Sequence, residues 1–78
     1  MIVQKQIVYC VGFFKDGATK YVWHDQFGKY HSSPEPSMAA YWDGTSGCER
    51  EIEKVQNLFQ YPLKIFTVTL YVAEYKSD

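Results

Sequence analysis

The sequence is short of positive charge, and of arginine above all. Eight Lys and Arg stand against nine Asp and Glu, and the single arginine, Arg50, lies between Glu49 and Glu51. Phosphate neutralisation supplies most of the non-specific affinity of a nucleic-acid binder, so a chain without a basic excess or stripe is poorly equipped for that role. Cysteine is scarce too. Cys10 and Cys48 fit no CxxC or zinc-finger spacing, and two buried free thiols are expected rather than a disulfide or a metal centre. No apolar run approaches the ~20 residues of a membrane span. The N-terminal Met1-Ile-Val-Gln-Lys-Gln lacks the apolar segment of a signal peptide, so a reducing cytoplasm is the expected compartment. Glycine-rich phosphate loops and nucleophile elbows are also missing.

What the chain has in surplus is aromatic surface. Seven Tyr, five Phe and two Trp sit in 78 residues. A chain of this length has room for one small core, worth roughly 3–5 kcal/mol of net stability. Rings that each bury on the order of 150–250 Å² cannot all fit inside it. Some must lie at the surface, where Tyr and Trp commonly mark an interface.

The stretch Leu63–Tyr75 organises the rest. It runs without Gly or Pro and is dense in β-branched and aromatic residues, which predicts a long strand. Read with period two, Phe66, Val68, Leu70 and Val72 form one face, bounded by Lys64 and Glu74. That face is expected to be core. The other face carries Ile65, Thr67, Thr69, Tyr71, Ala73 and Tyr75, and is expected to stay open.

Upstream, Gln4–Phe14 and Thr19–His24 read as two strands joined by Asp16-Gly17, a pair suited to a two-residue type I′ hairpin turn. That loop sets Gly12 opposite Tyr21, where the tyrosine ring would cover the bare glycine. The hairpin is apolar on both sides. Its Ile7-Tyr9-Val11-Phe13 face is the bulkier and is expected inward, which places Tyr21 and Trp23 on the open side with Thr67, Thr69 and Tyr71. Lys29–Ser32 suggests a short third strand. Ser33-Pro34 could start a short helix through Ser37–Trp42, with an irregular loop as the alternative. Ser46 and Glu49 fit a capping box, and Cys48, Ile52, Val55, Leu58 and Phe59 form the apolar stripe of a main helix that ends before Pro62.

The expected architecture is one small α+β domain over residues 1–78. Its antiparallel or mixed sheet has three or four strands, with the main helix on one face, in the order β-β-(β)-(α)-α-β. For chemistry, His24, Asp25 and His31 cluster around a turn, but they match no motif with a mechanism. They read as partly solvated turn residues, and no catalytic residue, cofactor or metal is expected. The acidic run Glu49, Glu51, Glu53 reads as a solvated helix face.

The functional expectation is a non-enzymatic module that binds another protein through Tyr21, Trp23, Thr67, Thr69, Tyr71 and Tyr75, with Tyr41 and Trp42 in the connecting segment. In size, aromatic surplus and lack of catalytic apparatus the chain is similar in style to small phage or mobile-element accessory proteins that bind and block a host protein. That likeness is one of type, carried by no shared motif. The alternatives are a homodimer formed by two open faces, and single-strand nucleic-acid binding on the sheet aromatics, which the missing basic groove disfavours.

Overall fold

Local chemistry dictates the first hairpin. In the computed structural model, which describes residues 2–75, Asp16 (φ 52°) and Gly17 (φ 79°) both adopt the left-handed conformation that a type I′ turn requires. β1 (Ile2–Lys15) and β2 (Ala18–His24) leave the turn with Lys15 opposite Ala18, Phe14 opposite Thr19, Phe13 opposite Lys20 and Gly12 opposite Tyr21. At the next turn, Asp25 Oδ1 accepts hydrogen bonds from the backbone N–H groups of Phe27 (2.9 Å) and Lys29 (3.0 Å), and Gly28 takes a φ of 79°. β3 (Tyr30–Ser33) then returns along β2. A 3-10 turn (Pro36–Met38), helix α1 (Thr45–Val55) and a second 3-10 turn (Gln56–Leu58) lead to β4 (Lys64–Ala73). β4 pairs antiparallel with β1, so the fold is α+β with an open antiparallel sheet in the order β3-β2-β1-β4.

The helix packs where β1 and β2 are broadest. Val11, Phe13, Val22, Cys48, Val55 and Leu63 form the buried core, flanked by Tyr9, Trp42, Ile52, Phe59, Tyr61 and Ile65. Phe13 stacks on Tyr61 at 5.3 Å and tilts against Phe59 at 5.6 Å. The side-chain amide of Gln56 clamps the loop into β4: its Nε2 donates to the Tyr61 carbonyl (2.9 Å), and its Oε1 accepts from the Leu63 N–H (2.8 Å).

Several expectations are corrected. The register Val11–Ile65 and Tyr9–Thr67 puts Ile65, Thr67, Thr69 and Tyr71 on the helix side of the sheet. Phe66, Val68, Leu70 and Val72 share the opposite side with Cys10 and Val8. The side of β4 that faces the helix is therefore the reverse of the expected one. The expected contrast in burial holds: Phe66, Val68 and Leu70 are half-buried while Thr67, Thr69 and Tyr71 are exposed, because α1 meets β4 near Ile65. The alternation farther along reports the other face of the sheet. The ring nearest the bare side of Gly12 is that of Phe66, which an added Cβ would meet at 3.1 Å, with Tyr21 opposite Gly12 in the register.

Residues 37–42 hold no α-helix; a single 3-10 turn precedes Trp42. Trp42 exchanges backbone hydrogen bonds with Tyr9 (2.9 and 2.8 Å), in line with β2 but beyond its last pair with β1 at Gly12–Tyr21. That pairing leaves only Asp43 and Gly44 before the helix, so α1 begins at Thr45 with Gly44 as its N-cap and no capping box forms. Leu58 falls in the 3-10 turn, where tighter winding swings it off the apolar stripe, and it is 62% exposed.

A candidate docking ribbon at the open end of the sheet

β1 and α1 differ greatly in length. Fourteen strand residues reach about 48 Å at ~3.4 Å each, matching the 50 Å long axis of the molecule. Eleven helical residues cover about 16 Å. Beyond Tyr9 the helix, β2 and Trp42 have all ended, and β1 keeps β4 as its one strand neighbour among the described residues. Gln4–Val8 and Val68–Val72 thus project as a two-stranded ribbon, with a register shift between Ile2 and Gln4 at its tip.

One side of the ribbon carries Lys5, Ile7, Thr67, Thr69 and Tyr71; the other carries Gln4, Gln6, Val8, Val68, Leu70 and Val72, with Val8 buried and Val68 and Leu70 half-buried. Ile7 is 51% exposed and Tyr71 65%. They are diagonal neighbours, since Ile7 faces Thr69 and Lys5 faces Tyr71. Val72 is exposed on the reverse side, and Tyr75, just past the strand, is 87% exposed.

The ribbon also presents backbone. Tyr9 points its N–H and C=O at Trp42, away from β4, so by alternation Lys5 and Ile7 aim theirs out along the same edge. No strand among the described residues meets them. By the same parity Ile65, Thr67, Thr69 and Tyr71 direct their N–H and C=O groups to the outer edge of β4, which likewise meets no strand among the described residues.

The predicted site residues are divided by the fold. Tyr71, Thr67 and Thr69 lie together on the exposed ribbon, with Tyr75 beyond its end. Tyr21 and Trp23 lie on the opposite sheet face and are half-buried. Tyr21 packs edge-on to Phe66 at 6.0 Å, and Trp23 stacks on His31 at 4.5 Å. The Trp23 indole N–H is buried without a hydrogen-bond partner among the described residues. Tyr41 lies over this same face: burial, then the neighbouring Cys10 and Tyr21, push its phenol pKa up, and its hydroxyl donates to the Pro36 carbonyl. With Ala39 buried and the Pro36–Met38 turn against β2, the connecting segment closes much of the face expected to be open.

Trp42 is a core residue. Its indole lies against Gly47 so closely that any Cβ there would overlap it. The chain changes sides of the sheet at Trp42, through the gap where β2 departs from β1. Residues that sequence reasoning missed are Ile7, placed inward by alternation, and Val72, placed in the core. Neither exposure has a sequence signal: Ile7 lies on the helix side beyond the reach of α1, and Val72 lies on the reverse side near the end of the ribbon.

Asp25, His31 and the two cysteines make local contacts within the fold. Asp25 Oδ2 and His31 Nε2 lie 2.9 Å apart. That hydrogen bond, with the backbone N–H of Lys29, holds the Asp25 carboxyl below its ordinary pKa. Burial, with a smaller contribution from Cys48, pushes the Cys10 thiol up to about 11. Cys48 is raised by burial and by Glu51 and Glu49. Both cysteines are free and buried, which suits packing and not nucleophilic attack. Among the described residues no three His, Cys, Asp or Glu side chains converge on a common point. An open concavity of about 420 Å³, lined by Phe13, Phe59 and Tyr61 with Lys15 and Lys20 at its sides, lies beside the helix tail. No helix among the described residues is long and apolar enough to cross a membrane. Comparison of the chain with known protein families, curated proteins and solved structures returns no match.

Proposed function

We propose that this protein is a non-enzymatic interaction module that docks on another protein through its projecting ribbon. The observation that carries the reading is the pairing of two features in one place. The ribbon has a β1 edge at Lys5 and Ile7 that pairs with no strand among the described residues and exposed apolar side chains, Ile7 and Tyr71, beside it. An extended partner segment adding to that edge would continue the track Trp42 already occupies at Tyr9. Backbone hydrogen bonds supply affinity in this mode, and side chains on alternate positions supply specificity. Tyr71 provides the large, rotor-poor contact typical of an interface anchor. Two buried, unbonded thiols suit a reducing cytoplasm, and a blocking role towards a host protein is the specific form we assign.

The test is affinity capture from host lysate with the wild type beside Ile7→Asp and Tyr71→Ala, each checked for folding by circular dichroism. The expected result is a protein retained by the wild type and weakened roughly 30-fold or more by each variant, with melting temperatures close to wild type. Equal capture by all three proteins refutes the ribbon as the docking site.

A further inference from the structure

From the outer edge of β4 we infer that this chain pairs with a second copy of itself, β4 against β4, about a two-fold axis at Thr69. The edge is long and unguarded. β4 runs ten residues, Lys64–Ala73, with no proline, no glycine and no charge after Lys64. The opposite edge of the sheet is β3, four residues long and followed by Pro34. Sheets commonly protect their edges with short strands, proline and charge. β3 has the first two devices; β4 has none along its centre.

The edge also complements itself. An antiparallel pairing about a two-fold axis at Thr69 sets Thr69 opposite Thr69 and Thr67 opposite Tyr71 of the second copy. These are the residues whose N–H and C=O groups point outward, so each pair exchanges both of its hydrogen bonds. Between them Val68 meets Leu70 and Phe66 meets Val72, extending the apolar face of the sheet across the junction. Lys64 then faces Glu74, so the two charges that bound the strand fall opposite each other at both ends. Centring the axis on Val68 instead sets Lys64 against Val72 and Glu74 against Pro62, which leaves both charges without an opposite charge across the junction. Charge complementarity thus selects both the occupant and the register. The dimer forms an eight-stranded sheet with a ribbon on each half. Its contact lies on β4 and leaves the free β1 edge at Lys5 and Ile7 uncovered.

Sedimentation velocity from one to a few hundred micromolar tests the inference. A concentration-dependent dimer is expected, and a strict monomer throughout overturns it. Thr69→Lys, on an exposed side chain, sets two ammonium groups face to face at the axis, and is expected to raise the dissociation constant roughly tenfold or more without lowering the melting temperature at dilutions where the wild type is monomeric. Lys64→Glu is expected to weaken the dimer severalfold by opposing Glu74, and Lys64→Glu with Glu74→Lys to restore it. A dimer indifferent to Thr69→Lys, or a charge swap that fails to restore what Lys64→Glu removed, overturns the register. Ile7→Asp lies off this contact: a dimer that survives it while partner capture is lost separates this pairing from the proposed function.

Discussion

β1 is one strand in two environments. Val11 and Ile7 lie on the same face of it, two side chains apart in the alternation, yet Val11 is 1% exposed and Ile7 51%. At the first, α1, β2 and β4 surround the strand; at the second, β4 alone remains. The difference teaches that alternation assigns a residue to a side of the sheet and says nothing about whether a second layer reaches that far. On the helix side burial ends where the helix ends, while on the reverse side it extends to Val8, and beyond that the strand continues as an accessible ribbon.

The largest effect that separates the two ends is in stability. Phe13→Ala removes a ring stacked on Tyr61 and packed against Phe59 and is expected to cost about 3–5 kcal/mol, enough to unfold a domain of this size. Ile7→Ala is expected to change stability by about 0.5 kcal/mol or less. Urea denaturation of both measures the contrast, and similar losses would show the ribbon to be part of the core.

An intermediate effect lies at the boundary itself. Gly47→Ala drives a methyl group into the Trp42 indole and is expected to cost about 1–3 kcal/mol. As Trp42 is displaced, hydrogen exchange at Tyr9, whose N–H donates to the Trp42 carbonyl, should quicken before that of Val11.

The smallest effect is chemical. Cys10 stays a thiol at neutral pH, held up to about 11 by burial, so native protein is expected to resist iodoacetamide at pH 8 and to react once unfolded. A cysteine introduced by Ile7→Cys should react at the rate of a free thiol, as read by mass spectrometry. Because the thiol pKa is raised in the folded state, the stability linked to it is intact below about 9 and declines as the pH climbs towards about 11.

Much of the closed end was legible. Asp16-Gly17 specifies a turn whose geometry sets the hairpin register, and the recurrence of Cys48, Ile52 and Val55 marks the helix with its buried side. What escaped depends on distant partners. β4 is apolar on both faces, so its orientation is set by pairing Val11 with Ile65, a match that no window along the chain contains. Trp42 reads as an exposed aromatic until the gap between β1 and β2 gives it a backbone partner at Tyr9. The same dependence applies to the site. Tyr71, Thr67 and Thr69 were grouped correctly with one another, but Tyr21 and Trp23 were assigned to their side because the faces of β4 were reversed.

The pairing of β1 with β4 has a kinetic corollary. It joins the two strands farthest apart in the order of synthesis, and loop-closure entropy must be met before any of its hydrogen bonds forms. The β1–β2 hairpin, closed by two residues, assembles on the order of microseconds, whereas docking of β4 should place complete folding in the slower range, about milliseconds to seconds. During that interval β1 offers bare backbone along the side β4 will take, and a nascent chain in that state is most open to capture by a neighbour.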